Sequence, residues 1–182
     1  MADNPAVTTI ACTPENDEAC RLVGRFLQSF ATMEQAIDAV VGAVLDLKGG
    51  TVYVLAANIP FQKKVEILFA GERTVGAKPD KGRQLLLDRT RKAILALNDK
   101  RVIFAHCQFG PAQGSGVIFQ RVVPKQILKV DPVAFTPDEV HQLCQKALAT
   151  AADIKRIADE MKKYMPSLDF SDPRNSGLFV LM

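Results

Sequence analysis

Histidine is scarce in this 182-residue chain: only His106 and His141 are present. Two histidines so far apart nominate no metal cluster. The four cysteines, Cys12, Cys20, Cys107 and Cys144, stand alone without C-x-x-C spacing. That argues against both a zinc site and a disulfide framework, and fits free thiols in a reducing compartment. No apolar run approaches the roughly 18–20 residues that a membrane span requires. The opening MADNPAVTTIACTPENDE lacks the basic start and apolar block of a secretory signal. No Ser-His-Asp set, carboxylate dyad or H-E-x-x-H stretch is present, and the GPAQGSG segment (residues 110–116) has no phosphate-loop lysine. The expectation is a cytoplasmic protein with no membrane partner, no metal and no cofactor.

What is present suits one soluble domain with an ample core. Apolar residues make up 48% and charged residues 24% of the chain, ordinary proportions for a globular protein. The net charge of +3 is unevenly spread. From Arg73 to Arg101, nine basic residues face three acidic ones, so the remainder is slightly acidic. Such a basic segment could receive a polyanion such as RNA, although a solvated helix face explains the same charges.

Periodicity divides the chain into helices. Thr13-Pro14-Glu15 is a helix start, with a capping hydroxyl, a proline at the first position and an acid near the positive dipole end. Leu22, Phe26, Phe30, Met33, Ile37, Val41 and Val44 carry the stripe to about Lys48, and Gly49-Gly50 stops it. TVYVLAAN (51–58) fits either a strand or a short buried helix. Pro60 can open a helix whose stripe is Phe61, Val65, Leu68 and Phe69. A third long helix runs from about Pro79 to Gln108, with Leu86, Thr90, Ile94, Leu97, Arg101 and Ala105 in its stripe. GVIFQRV and KQILKVD read as a hairpin around Val123-Pro124. Thr136-Pro137-Asp138-Glu139 is a capping box that opens a last helix ending near Pro166. The fold class is therefore mainly α, an up-and-down bundle of four to five helices with a small β-hairpin inserted before the last long helix. Residues 1–12 read as a flexible N-terminus, 13–165 as a single helical domain and 166–182 as a tail with a short apolar end.

Three charges fall where an apolar residue is due: Glu34, Lys64 and Arg101. A charge on a buried face costs several kcal/mol unless it is paired. One carboxylate and two cations on inward stripes invite the expectation that they meet. The competing reading places each at a stripe's edge with its head in water.

Arg101 also stands five residues before His106, in LNDKRVIFAHCQF. At about 100° per residue, five positions separate the two by about 140° on a straight helix. They address one phosphate only if the helix kinks, ends there, or meets a second copy. His141 reads as a surface residue and Cys107 as a packing residue. Phe104 and Phe109 read either as base-stacking rings or, more commonly at a helix end, as seals of the core or of an interface.

R-V-I-F-A-H ending a long helix, after the pattern I-P-F-Q-K-K-V-E-I-L and before a hairpin and a last helix, resembles the HEPN superfamily of small helical-bundle proteins. The similarity covers roughly residues 13–165 and is nearest to bacterial members with an R-N-x-x-A-H stretch. The resemblance implies a bundle that pairs into a homodimer and, in active members, a cleft where Arg and His of both protomers cut RNA without metal. Carried over, Arg101 would hold the scissile phosphate and His106 would act as general acid or base toward the RNA 2′-hydroxyl. Glu34 and Lys64 would form a supporting charged cluster, and Lys100, Arg91 and Lys92 would bind RNA. One departure matters: active members commonly carry a polar residue, often Asn, after the arginine, and here it is Val102. Relatives that have lost activity serve as RNA-binding or partner-binding modules. A second reading is therefore a non-catalytic dimeric module in which Arg101 pairs with Glu34 and His106 is structural. A protein partner, such as a toxin–antitoxin partner, remains open.

Overall fold

A computed structural model describes residues 13–47, 50–75, 80–124 and 128–164; the sequence-based readings of residues 1–12 and 166–182 lie outside these. The order is α1 (Pro14–Val44), α2 (Thr51–Asn58), α3 (Phe61–Val75), α4 (Lys81–His106), β1 (Gln108–Pro111), β2 (Val117–Pro124), β3 (Leu128–Phe135) and α5 (Pro137–Tyr164). The protein is mainly helical, with a small antiparallel sheet ahead of the last long helix.

The α1 start follows the sequence: the Thr13 hydroxyl accepts the Asn16 N–H at 3.3 Å, with Glu15 and Asp17 in the first turn. Its end differs. The helix stops at Val44, before the Gly49-Gly50 pair, because Asp46 takes a left-handed conformation (φ 50°). The Leu47 N–H then donates to the Gly42 carbonyl at 2.9 Å and the Asp46 N–H to the Ala43 carbonyl at 3.1 Å, the two bonds of a Schellman motif. The ambiguous segment 51–58 is helical.

Helix α1 is the hub. It packs most extensively along α5 and also against α3 and α4, while α4 lies on α5. Leu22, Phe26, Phe30, Met33, Ile37 and Val41 of α1 are buried with Val65 and Leu68 of α3, Ile94 and Leu97 of α4, and Ile154 and Met161 of α5. Each such side chain removed from water contributes roughly 1.5–3 kcal/mol, so the stripe spacing converts directly into bundle packing.

The expected hairpin is present as β2–β3, paired from Val117↔Phe135 to Pro124↔Leu128. The third strand is new relative to the sequence reading, which ran the helix to Gln108 and made the following stretch a connector. Helix α4 ends at His106, Cys107 turns extended (φ −93°, ψ 143°), and Gln108–Pro111 pairs with β2 through Phe109↔Phe119. Aromatic rings fix the sheet to the bundle. The Phe104 ring of α4 lies 4.4 Å from that of Phe26, 4.6 Å from Phe119 and 5.1 Å from Phe135, distances suited to tilted ring pairs.

Candidate functional site

The seam of α4 carries Leu87, Thr90, Ile94, Leu97 and Phe104 into the core. Arg101, seven residues after Ile94 and four after Leu97, continues that seam at half burial, while His106 on the last turn is exposed. Despite their angular separation the two side chains meet: Arg101 Nη1 lies 3.4 Å from His106 Nε2. Two features close the gap. Helical Cα–Cβ bonds tilt toward the N-terminus, so the imidazole leans back over the final turn. The long arginine stem spans the rest, and with the chain turning extended at Cys107 no further helical turn covers the imidazole. A guanidinium only donates, so this contact is a hydrogen bond when Nε2 is the unprotonated ring nitrogen. One of five guanidinium N–H donors is engaged in this contact, and none meets a carboxylate within salt-bridge distance among the described residues. Val102, 45% exposed and four residues before His106, shares its face.

The three cations expected to bind RNA do not share a side of α4. Nine residues separate Arg91 from Lys100, which places them about 180° apart. The Arg91 guanidinium lies 5.8 Å from the Phe69 ring centroid, and the Lys100 ammonium 5.3 Å from that of Phe135. Lys92 is exposed. Of the other basic residues on this helix, Arg89 pairs with Asp153 at 2.8 Å and Arg83 with Glu72 at 2.9 Å. The local positive excess is thus partly spent on intramolecular contacts.

Glu34 and Lys64 do meet, at 2.9 Å, but without Arg101. The third member is Asp38, also 2.9 Å from the Lys64 ammonium. Lys64 is 4% exposed, whereas the two carboxylates keep about a quarter of their surface. Burial pushes the Asp38 carboxyl up from its ordinary range, more than the bond to Lys64 lowers it. Burial pulls Lys64 the other way, yet the bonds to Asp38 and Glu34 together outweigh it and raise the ammonium pKa. Asp38 was findable: it stands one turn beyond Glu34, at i+4 on the same face. So was the buried Glu72, four residues after Leu68 on the α3 stripe and 3% exposed.

At the start of α5 the capping box is formed as read. The Thr136 N–H donates to Glu139 Oε2 at 2.8 Å, and the Glu139 N–H to Thr136 Oγ1 at 3.2 Å. The backbone bond, then the Thr136 hydroxyl, hold the Glu139 carboxyl below its ordinary value, with a smaller effect from the Lys100 charge. His141 is exposed and Cys107 packs partly against the core. Cys20, Cys107 and Cys144 are free thiols. Among the described residues no group of three or more His, Cys, Asp or Glu side chains is placed to hold a metal ion. None of their helices is long and apolar enough to cross a membrane. No family model, curated protein or solved structure matches this chain.

Proposed function

We propose that this chain is an HEPN-like RNA-binding protein whose Arg101/His106 pair works as a metal-independent endoribonuclease centre. The observation that carries the reading is the 3.4 Å approach of a guanidinium, with no carboxylate partner among the described residues, to an exposed imidazole where α4 ends. Arg101 offers N–H donors to the non-bridging oxygens of a phosphodiester, a planar match that lysine lacks. His106 Nε2, once the Arg101 guanidinium turns from it to the phosphate, takes the proton of the neighbouring 2′-hydroxyl. The 2′-oxygen forms a bond to phosphorus, the bond to the 5′-oxygen breaks, and that oxygen leaves with a proton. The products are a 2′,3′-cyclic phosphate and a 5′-hydroxyl. One imidazole fills one of the two proton-transfer roles; a homodimer, as the family resemblance implies, would bring a second.

The specific observation favouring the alternative, a non-catalytic dimeric module, is Val102. A half-exposed aliphatic residue beside His106 offers a partner protein contact and offers a phosphate none. Labelled single-stranded RNA incubated in EDTA with the wild type, Arg101→Ala and His106→Ala separates the readings. Cyclic-phosphate ends with wild type alone support the nuclease. RNA retained in a complex but left intact supports a binding protein, and RNA neither bound nor cut rejects the proposal in favour of the module.

A further inference from the structure

We infer that Phe109 is a stacking platform for an unpaired base flanking the phosphate held at Arg101/His106, so that the preferred substrate is single-stranded RNA; this rests on the RNA reading of that pair. Of the two rings the sequence left open, Phe104 is 2% exposed and belongs to the core, whereas Phe109 is 38% exposed. The cause is topological. Phe109 pairs in register with Phe119, so both rings stand on the core-facing side of the sheet, but β1 is the edge strand and leaves the Phe109 ring partly open.

The ring is exposed and also held. Its centroid lies 5.9 Å from that of Phe119, which lies 4.6 Å from that of Phe104, one turn along α4 from Arg101. The platform and the phosphate-binding pair therefore hang from one aromatic stack. Three extended residues put Phe109 within about 10 Å of His106 along the chain. Tyr164 is the other well-exposed aromatic residue among those described, and its ring already carries the Arg83 guanidinium at 5.7 Å. The sheet's opposite face at this point is polar, with Gln108 paired to Gln120 and both exposed. A part-exposed ring backed by an aromatic stack, with exposed glutamines on the opposite face and a guanidinium–imidazole pair nearby, suits a nucleobase, whose flat face stacks without regard to sequence.

The chain contains no tryptophan and two tyrosines, so Phe109→Trp installs a single tryptophan at the platform, excited selectively at wavelengths where tyrosine does not absorb. The probes are 2′-O-methyl oligouridylate, which cannot be cleaved through its 2′-oxygen, and an abasic ribose-phosphate oligomer of equal length. Binding is read by anisotropy and stacking by quenching. The expected result is quenching by the base-bearing oligomer only. Phe109→Leu, which still fills the space against Phe119, should bind oligouridylate about tenfold or more weakly and the abasic oligomer as the wild type does, with an unchanged thermal midpoint. Oligouridylate bound without quenching, and with full affinity by Phe109→Leu, overturns the platform and leaves the RNA reading standing. Failure of the wild type to bind either oligomer overturns both. An emission shift that follows protein concentration and ignores RNA assigns the ring to a contact between copies, and overturns the platform.

Discussion

Lys64 shows how much a single charge decides. Its ammonium is almost fully buried and is the cation shared by two partly solvated carboxylates. Removing one partner of a buried pair costs about 3–5 kcal/mol, and solvation of the carboxylates points to the lower end for Lys64→Ala. Chemical denaturation should show that loss, and adding Asp38→Asn should recover part of it. The pH dependence has a definite sign. The Lys64 pKa is raised above 10.5 on folding, so its contribution is fully present below that value and is lost as pH rises through the folded pKa. Lys64→Met should flatten that alkaline loss. Asp38 acts at the other end: its folded pKa lies above 3.8, so stability falls as pH rises from 3.8 through the folded value. Asp38→Asn should remove that slope. Arg101, half-buried and without a carboxylate partner among the described residues, contrasts with Lys64. Arg101→Ala should change stability by less than about 1 kcal/mol, as for a surface substitution, while lowering affinity for RNA. A loss of several kcal/mol would mean instead that Arg101 is a structural pillar.

At the level of elements, the helices were legible because amphipathic spacing and caps are local signals. Thr13, Pro14 and the Thr136–Glu139 box mark helix starts within a residue or two. Ends were less legible. The α1 stop depends on the left-handed Asp46, a residue with no glycine signature, and the α4 stop on Cys107 joining a sheet edge. Strand β1 escaped because four residues between a helix and a glycine-rich turn show no alternation; its pairing with β2 is a tertiary fact. The glycine-rich turn itself is required. Gly116 has φ +103°, and a Cβ there would run into the Phe135 carbonyl at the start of the β2–β3 pairing. Gly116→Ala should therefore cost about 2 kcal/mol or more, read as a lower denaturation midpoint. An unchanged midpoint would show that the turn relaxes freely.

For the whole molecule, charge proved a weaker guide than periodicity. The basic excess between Arg73 and Arg101 suggested a face for RNA, yet the fold uses Arg83, Arg89, Arg91 and Lys100 in contacts with Glu72, Asp153, Phe69 and Phe135. Sequence fixes how many charges there are, and only packing decides which remain available to a partner. Glu34 and Lys64 do meet, as their stripe positions suggested, but the same logic joined Arg101 to them, because stripe position does not say which inward charges come within reach of one another. The Arg101/His106 contact was half-legible. The residues stood out by type and spacing, while their approach depended on side-chain tilt and on a helix end that periodicity placed two residues too late. Proton transfer through His106 also predicts that the imidazole is dispensable for folding. His106→Ala should leave the denaturation midpoint within about 0.5 kcal/mol of wild type, as for other exposed positions.

The most direct test is incubation of the purified protein with labelled single-stranded RNA in EDTA, beside the His106→Ala variant. The account predicts fragments ending in 2′,3′-cyclic phosphate with the wild type and intact RNA with the folded variant. Intact RNA in both, or equal cleavage by both, would contradict a role for His106 in catalysis.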